Sequence, residues 1–349
     1  MRTTILCALL GASAAFGQSF VVSPLLYERH EAASSNSFPF TNAFRYQQVH
    51  GDLKGTPRVF QGVAWRRDGA QVTNTTHVAR TFDLEARLAD GNLASFAGTF
   101  ASNYVGTPVQ VFLRKNVNAP DWTQQPAASP APWNLSLLFD VPFVYSGTND
   151  LLYEVVIHAT SATTAYLADS ALGTSTTVTG GSQAHGTGCT TINGVMRLRA
   201  NEINNSGTGN LTAQWVVASA PSAAATTVLI GLTNPALPIP FGCGSSTLFT
   251  DAAITSYSGA STNPGGFTTT PQLAVAWNPA YAGFLMTAQA ASIDPSQGGL
   301  GIALSIGVTS EAPPTVSPVL VSKLVANGSP TATTGTATAN TGLVTRFQH

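Results

Sequence analysis

Charge is what this sequence has least of. Asp, Glu, Lys and Arg make up 9% of its 349 residues, against roughly 25% in a typical soluble protein. Lysine contributes only Lys54, Lys115 and Lys323. With 15 basic and 16 acidic residues there is no field to steer a polyanion, which argues against nucleic acid as a partner. Long apolar runs are missing as well. Past the N-terminus none reaches the roughly 18 residues of a bilayer crossing, so no membrane span is expected after leader removal. The six histidines are scattered without His-x-His or His-Glu-x-x-His, and cysteine is too scarce for a zinc site. No Gly-x-Ser-x-Gly elbow activates a serine, and Gly207-Thr208-Gly209 lacks the strand-to-helix setting of a phosphate loop. The motifs therefore predict no catalytic residue, no metal ligand and no cofactor, and an unrecognised secreted hydrolase is the least favoured function.

Thr, Ser, Ala, Gly and Asn stand where the charge would be. Such a surface is polar but uncharged, and suits an extracellular β-protein. Met1-Arg2, the apolar run over 5–16 and the small residues at Ala15-Phe16-Gly17 read as a signal peptide, 1–17, with cleavage before Gln18. Of three cysteines, Cys7 falls in that leader. The other two sit among turn-forming residues, in Gly186-Thr187-Gly188-Cys189 and in Leu237-Pro238-Ile239-Pro240-Phe241-Gly242-Cys243-Gly244. Two cysteines left alone in an exported chain predict a Cys189–Cys243 disulfide and a secreted, extracellular or cell-surface location.

Strand periodicity runs almost the whole length. Phe82, Leu84, Ala86 and Leu88 alternate with Asp83, Glu85, Arg87 and Ala89, a period of two that a helix would scatter around its axis. Segments 44–50, 59–65, 109–113, 135–141, 151–159 and 163–167 repeat the pattern, and 20–22 reads as an edge strand. Residues 171–188 are rich in Gly, Ser and Thr and read as a linker. Beyond them, strands are expected over 195–200, 211–218, 226–230, 247–257, 268–277, 284–293 and 300–308. The predicted fold is all-β. It has two antiparallel β-sandwich domains in tandem, jelly-roll or Ig-like, over 18–170 and 189–311. The remaining 312–349 reads as a tail or a terminal β-hairpin covering a sheet edge.

Arg45-Tyr46-Gln47-Gln48, Trp65-Arg66-Arg67-Asp68-Gly69, Trp133, Pro142-Phe143-Val144-Tyr145 and Leu151-Leu152-Tyr153-Glu154-Val155 give the first half a familiar look. Gly188-Cys189, Ile230-Gly231-Leu232, Gly242-Cys243 and Gln289 do the same for the second. The chain resembles a group of uncharacterised secreted bacterial proteins with paired β-sandwich domains. That resemblance implies export, a β-rich fold and the cysteine pairing, and brings no catalytic residues with it.

Several side chains invite a functional reading. Glu154 and His158 lie on one strand face about 13 Å apart, too far for a base and its orienter. Glu154 is better read as a buried carboxylate paired with Arg66 or Arg45. Asp83 and Glu85 share a face with Arg87 and read as an ordinary charged face, while Asp150 and Asp169 stand near strand ends where calcium could bind. The strongest ligand-binding candidates are Trp122 and Trp133, in a proline-rich loop with Asp121 and Gln124 as polar neighbours, because an exposed indole stacks on the apolar face of a sugar. The bland alternative has Trp133 opening a strand and Trp122 capping the sandwich. The leading functional expectation is a structural or adhesive role, through self-association or a surface partner. From 201 onward only Glu202, Asp251, Asp294, Glu311, Lys323 and Arg346 carry charge, too few to keep strand edges apart. A glycan-binding module is the alternative.

Overall fold

The computed structural model describes residues 19–32, 34–36, 41–69, 76–124, 129–173, 177–205, 208–239, 243, 247–261, 265–297, 299–315 and 318–349. Residues 1–17, read as a signal peptide, lie outside them. The chain is all-β: every strand pair is antiparallel, and the helical segments described are short 3-10 turns.

The strands form two groups. In the first, a six-stranded sheet runs in the order Thr336–Thr338, Val321–Asn327, Phe44–His50, Asp150–Thr160, Arg80–Gly91, Tyr104–Ala119. A four-stranded sheet runs Phe20–Ser23, Thr345–Gln348, Arg58–Arg66, Trp133–Tyr145. Their inner faces bury one core that includes Phe44, Tyr46, Phe60, Trp65, Phe82, Leu84, Leu88, Tyr153 and Phe347. The alternation at 82–88 is what puts Phe82, Leu84, Ala86 and Leu88 inside, while Asp83, Glu85 and Arg87 stay half-exposed. Ser34–Asn36, Ala168–Leu172 and Thr341–Leu343 make a small third sheet.

In the second group, Thr177–Thr179, Arg197–Asn205 and Asn210–Ala218 pair in order, and Thr268–Thr269 and Leu273–Ala276 both pair with Asn210–Ala218. The facing sheet runs Ser182–His185, Ile302–Glu311, Leu285–Ile293, Ala225–Gly231, Thr255–Ala260. Trp215 fills the space between them, among Ala200, Ala213, Ala288, Ala290 and Ala303. Small side chains on both inner faces leave room for one large indole.

Three expectations need correction. The groups are not in tandem: the second, 177–311, is inserted between strands of the first, which the C-terminal strands complete. Val321–Asn327 pairs along its whole length with Phe44–His50, from Val321↔His50 to Asn327↔Phe44. Thr345–Gln348 lies between Phe20–Ser23 and Arg58–Arg66. Residues 312–349 are therefore not a tail, and only part of the expected hairpin forms: Val321–Asn327 pairs with Thr336–Thr338 and covers the Phe44–His50 edge of the six-stranded sheet, whereas Thr345–Gln348 closes ladders inside the four-stranded one. Second, 171–188 is not a free linker. It contributes Thr177–Thr179 and Ser182–His185 to the two sheets of the second group, and it meets the first group through Thr179↔Glu31 and Ser182↔Ser129 bridges. Third, 163–167 is not a strand; pairing begins at Ala168.

Candidate functional site

The disulfide is present. Cys189 and Cys243 are joined, with their Cα atoms 5.5 Å apart. Cys189 is buried in the second core, and its Sγ accepts a hydrogen bond from the Leu304 amide at 3.0 Å. The bond ties the Leu237–Pro238 strand, paired with Thr247–Leu248, to that core.

Trp122 is not presented to solvent, so the sugar-stacking role expected of it does not fit. Trp122 is fully buried and stacks on Tyr166 with ring centroids 3.9 Å apart. Its Nε1 donates to Asn134 Oδ1 at 2.7 Å. An indole with its face covered and its donor satisfied is a core residue. Asp121 accepts from the Thr123 amide and hydroxyl at 2.9 and 2.6 Å, fixing the turn rather than reaching outward. Gln124 closes that turn, and its side chain is outside the described residues. Trp133 opens the strand Trp133–Tyr145 and is half-buried, with the Arg66 guanidinium 4.7 Å from its ring centroid.

Each carboxylate singled out by the sequence is held by an arginine or a backbone amide. Glu154 is fully buried between Arg45, 2.9 Å away, and Arg87, also 2.9 Å away, and it accepts from Gln47 Nε2. Arg45 is one of its two expected partners. Arg66, the other, serves Asp169 instead at 2.6 Å. Asp169 also accepts from the Ala32 amide. Burial raises its pKa to about 6 in spite of the Arg66 pair. Neighbouring Glu31, fully buried, is pushed up as well, first by burial and then by the Asp169 charge. The desolvation of two adjacent carboxylates outweighs the attraction of the guanidinium beside them. Asp150 accepts from the Leu93 amide at 2.6 Å. Among the described residues, no three His, Cys, Asp or Glu side chains gather as metal ligands.

Sequence reasoning missed two features of the second group. Glu202 occupies an inner-face position in the series Leu198, Ala200, Glu202, Asn204, all buried. Ser310, on the facing sheet, donates its hydroxyl to Glu202 Oε1, and Oε2 is buried with no hydrogen-bond partner. Burial lifts this carboxyl to about 7. The readable signal was a lone acid in phase with apolar neighbours. The other feature is a recess of about 300 Å³ between Leu211, Ala213, Leu273, Val275, Tyr281, Phe284 and Met286. Ala213 is the cross-strand partner of Glu202, and Met286 that of Ser310. The carboxyl–hydroxyl link thus ties the two sheets together at the residues that wall the recess. Around the mouth Leu273, Val275, Phe284 and Leu285 are each about half exposed. The strand Leu273–Ala276 is exposed on both faces, which no periodicity analysis could reveal.

No family model, curated protein or solved structure matches this chain.

Proposed function

We propose that the mature chain is an extracellular β-sandwich protein with a structural or adhesive role, and that it acts by burying the apolar face of its second group against another copy of itself. The observation that carries this reading is the half-exposed cluster Leu273, Val275, Phe284 and Leu285 around the 300 Å³ recess. Contiguous apolar surface of this kind marks an interaction site. Protruding side chains and a recess of matching chemistry lie on one patch, so the surface is complementary to itself. The edge strands Thr177–Thr179, Thr268–Thr269 and Thr255–Ala260 of the same group are short and carry no charge that would repel a second copy. The disulfide and the absence, among the described residues, of a helix long and apolar enough to cross a membrane are consistent with an extracellular location.

Sedimentation of the mature protein across concentration, at low and high salt, tests the proposal. Association should rise with concentration and respond little to salt, because few charges contribute. Phe284→Asp, at a site already half exposed, should leave the fold intact and shift the equilibrium to monomer. A strictly monomeric protein at every concentration would overturn the proposal.

A further inference from the structure

The outer face of the four-stranded sheet carries a groove that lies apart from the apolar recess. Cross-strand register sets Phe20, Gln348, Gly62 and Leu138 in one row across the sheet. Two residues along each strand, and so on the same face, the next row places Arg346 beside Ala64 and Ala64 beside Ser136. The groove encloses about 240 Å³. Its floor depends on glycine: a Cβ at Gly62 would come within 2.9 Å of the Leu137 carbonyl oxygen and 3.4 Å of both Gln348 Oε1 and Leu138 Cδ2. Phe20 and Leu138, 41% and 63% exposed, stand on either side.

Arg346 sets the chemistry. Its guanidinium carbon lies 4.4 Å from the Phe20 ring centroid and 5.2 Å from that of Trp133. Both distances are within cation–π range, and because Arg346 lines the groove with its Nε buried, its terminal N–H groups are the ones a ligand there can reach. No carboxylate pairs with it among the described residues, and its Nε is buried without a hydrogen-bond partner. This contrasts with Arg45, Arg66, Arg87 and Arg114, each held by an acid. Burial pulls the Arg346 pKa down from its ordinary value, as expected of a cation that has lost water without gaining an anion.

We propose that this groove binds an acidic sugar, its carboxylate or sulfate on the N–H edge of Arg346 and its apolar ring face on Phe20 and Leu138. A planar fork with its orientation held by stacking suits a bidentate anion. The Gln348 amide and Ser136 hydroxyl face the same groove and remain for ring hydroxyls. A peptide fits less well. Peptides that bind sheets add along an edge and use main-chain hydrogen bonds, whereas this groove runs across the strands and is centred on Thr345–Gln348 and Arg58–Arg66, whose ladders are closed on both sides. The site shares no residue with the apolar face of the second group, so the two proposals stand or fall separately.

The test is calorimetric titration of the mature protein with oligogalacturonate, its methyl-esterified form, a sulfated oligosaccharide and an acidic peptide. Oligogalacturonate or the sulfated chain should bind, whichever does so naming the anion, and affinity should fall with salt. The methyl ester should not bind. Arg346→Met, which keeps the length of the stem, should weaken binding by about tenfold or more, the loss expected for a charge-assisted pair. Leu138→Ala, at an exposed site where folding is not at stake, should weaken it severalfold and keeps the test decisive if Arg346→Met fails to fold. Equal binding of the methyl ester overturns the proposal, as do an acidic peptide binding as tightly as the sugars, folded variants that bind unchanged, and no binding by any acidic sugar.

Discussion

Replacing Glu202 by glutamine should stabilise the protein at pH 8 and leave it almost unchanged at pH 4.5. Glu202 is buried between the two sheets of the second group, with one oxygen bonded to Ser310 and the other unpartnered. Burial raises its pKa from 4.5 to about 7. The folded protein therefore keeps a proton that the unfolded chain releases between those values. Because the native state binds more protons there, stability falls as pH rises through that window, and the full penalty is present above pH 7. The rise from 4.5 to about 7 corresponds to about 3 kcal/mol at most. Glutamine preserves the oxygen that accepts from Ser310 and puts a neutral amide where the charge would form, so it removes the penalty. Urea unfolding followed by tryptophan fluorescence reports on this core, since Trp215 is buried in it. Asp169 and Glu31 titrate upward as well, but they are common to both proteins and cancel in the difference. That difference should open between pH 4.5 and 7 and plateau above. Parallel stability curves for the two proteins would show that Glu202 ionises as it does in water, and the account of its burial would be wrong.

Two further outcomes follow from the fold. Non-reducing peptide mapping should recover Cys189 linked to Cys243, and Cys243→Ser should destabilise the protein by up to about 4 kcal/mol for a 54-residue separation; two alkylatable thiols in the native protein would refute the pairing. Phe347→Ala should cost about 3–5 kcal/mol, because Phe347 is fully buried with its ring centroid 5.2 Å from that of Phe60; an unchanged urea midpoint would mean that the C-terminal strand is dispensable.

The sequence by itself determined the all-β class, most strand positions and the cysteine pair, because these are local or leave one choice. The period of two in 82–88 decides a strand without reference to anything else, and two cysteines have one way to pair. That Glu154 pairs with an arginine was legible for a similar reason, since a carboxylate in an apolar strand needs a cation and few cations exist; the choice of Arg45 over Arg66, and the addition of Arg87, came from the packed sheet. Partner choice between strands is different. Residues 319–325 and 342–347 read as strand-like from their sequence, but nothing local says that Val321–Asn327 and Thr345–Gln348 close ladders with Phe44–His50 and Phe20–Ser23. Main-chain hydrogen bonds are the same whichever strand supplies them, so only the packed core decides, and it placed the C-terminal strands in the first group. Exposure is likewise a property of the assembled sheets. Trp122 in a proline-rich loop looked presentable and Phe20 was only part of an edge strand, yet tertiary packing buried the first against Tyr166 and left the second exposed beside Arg346.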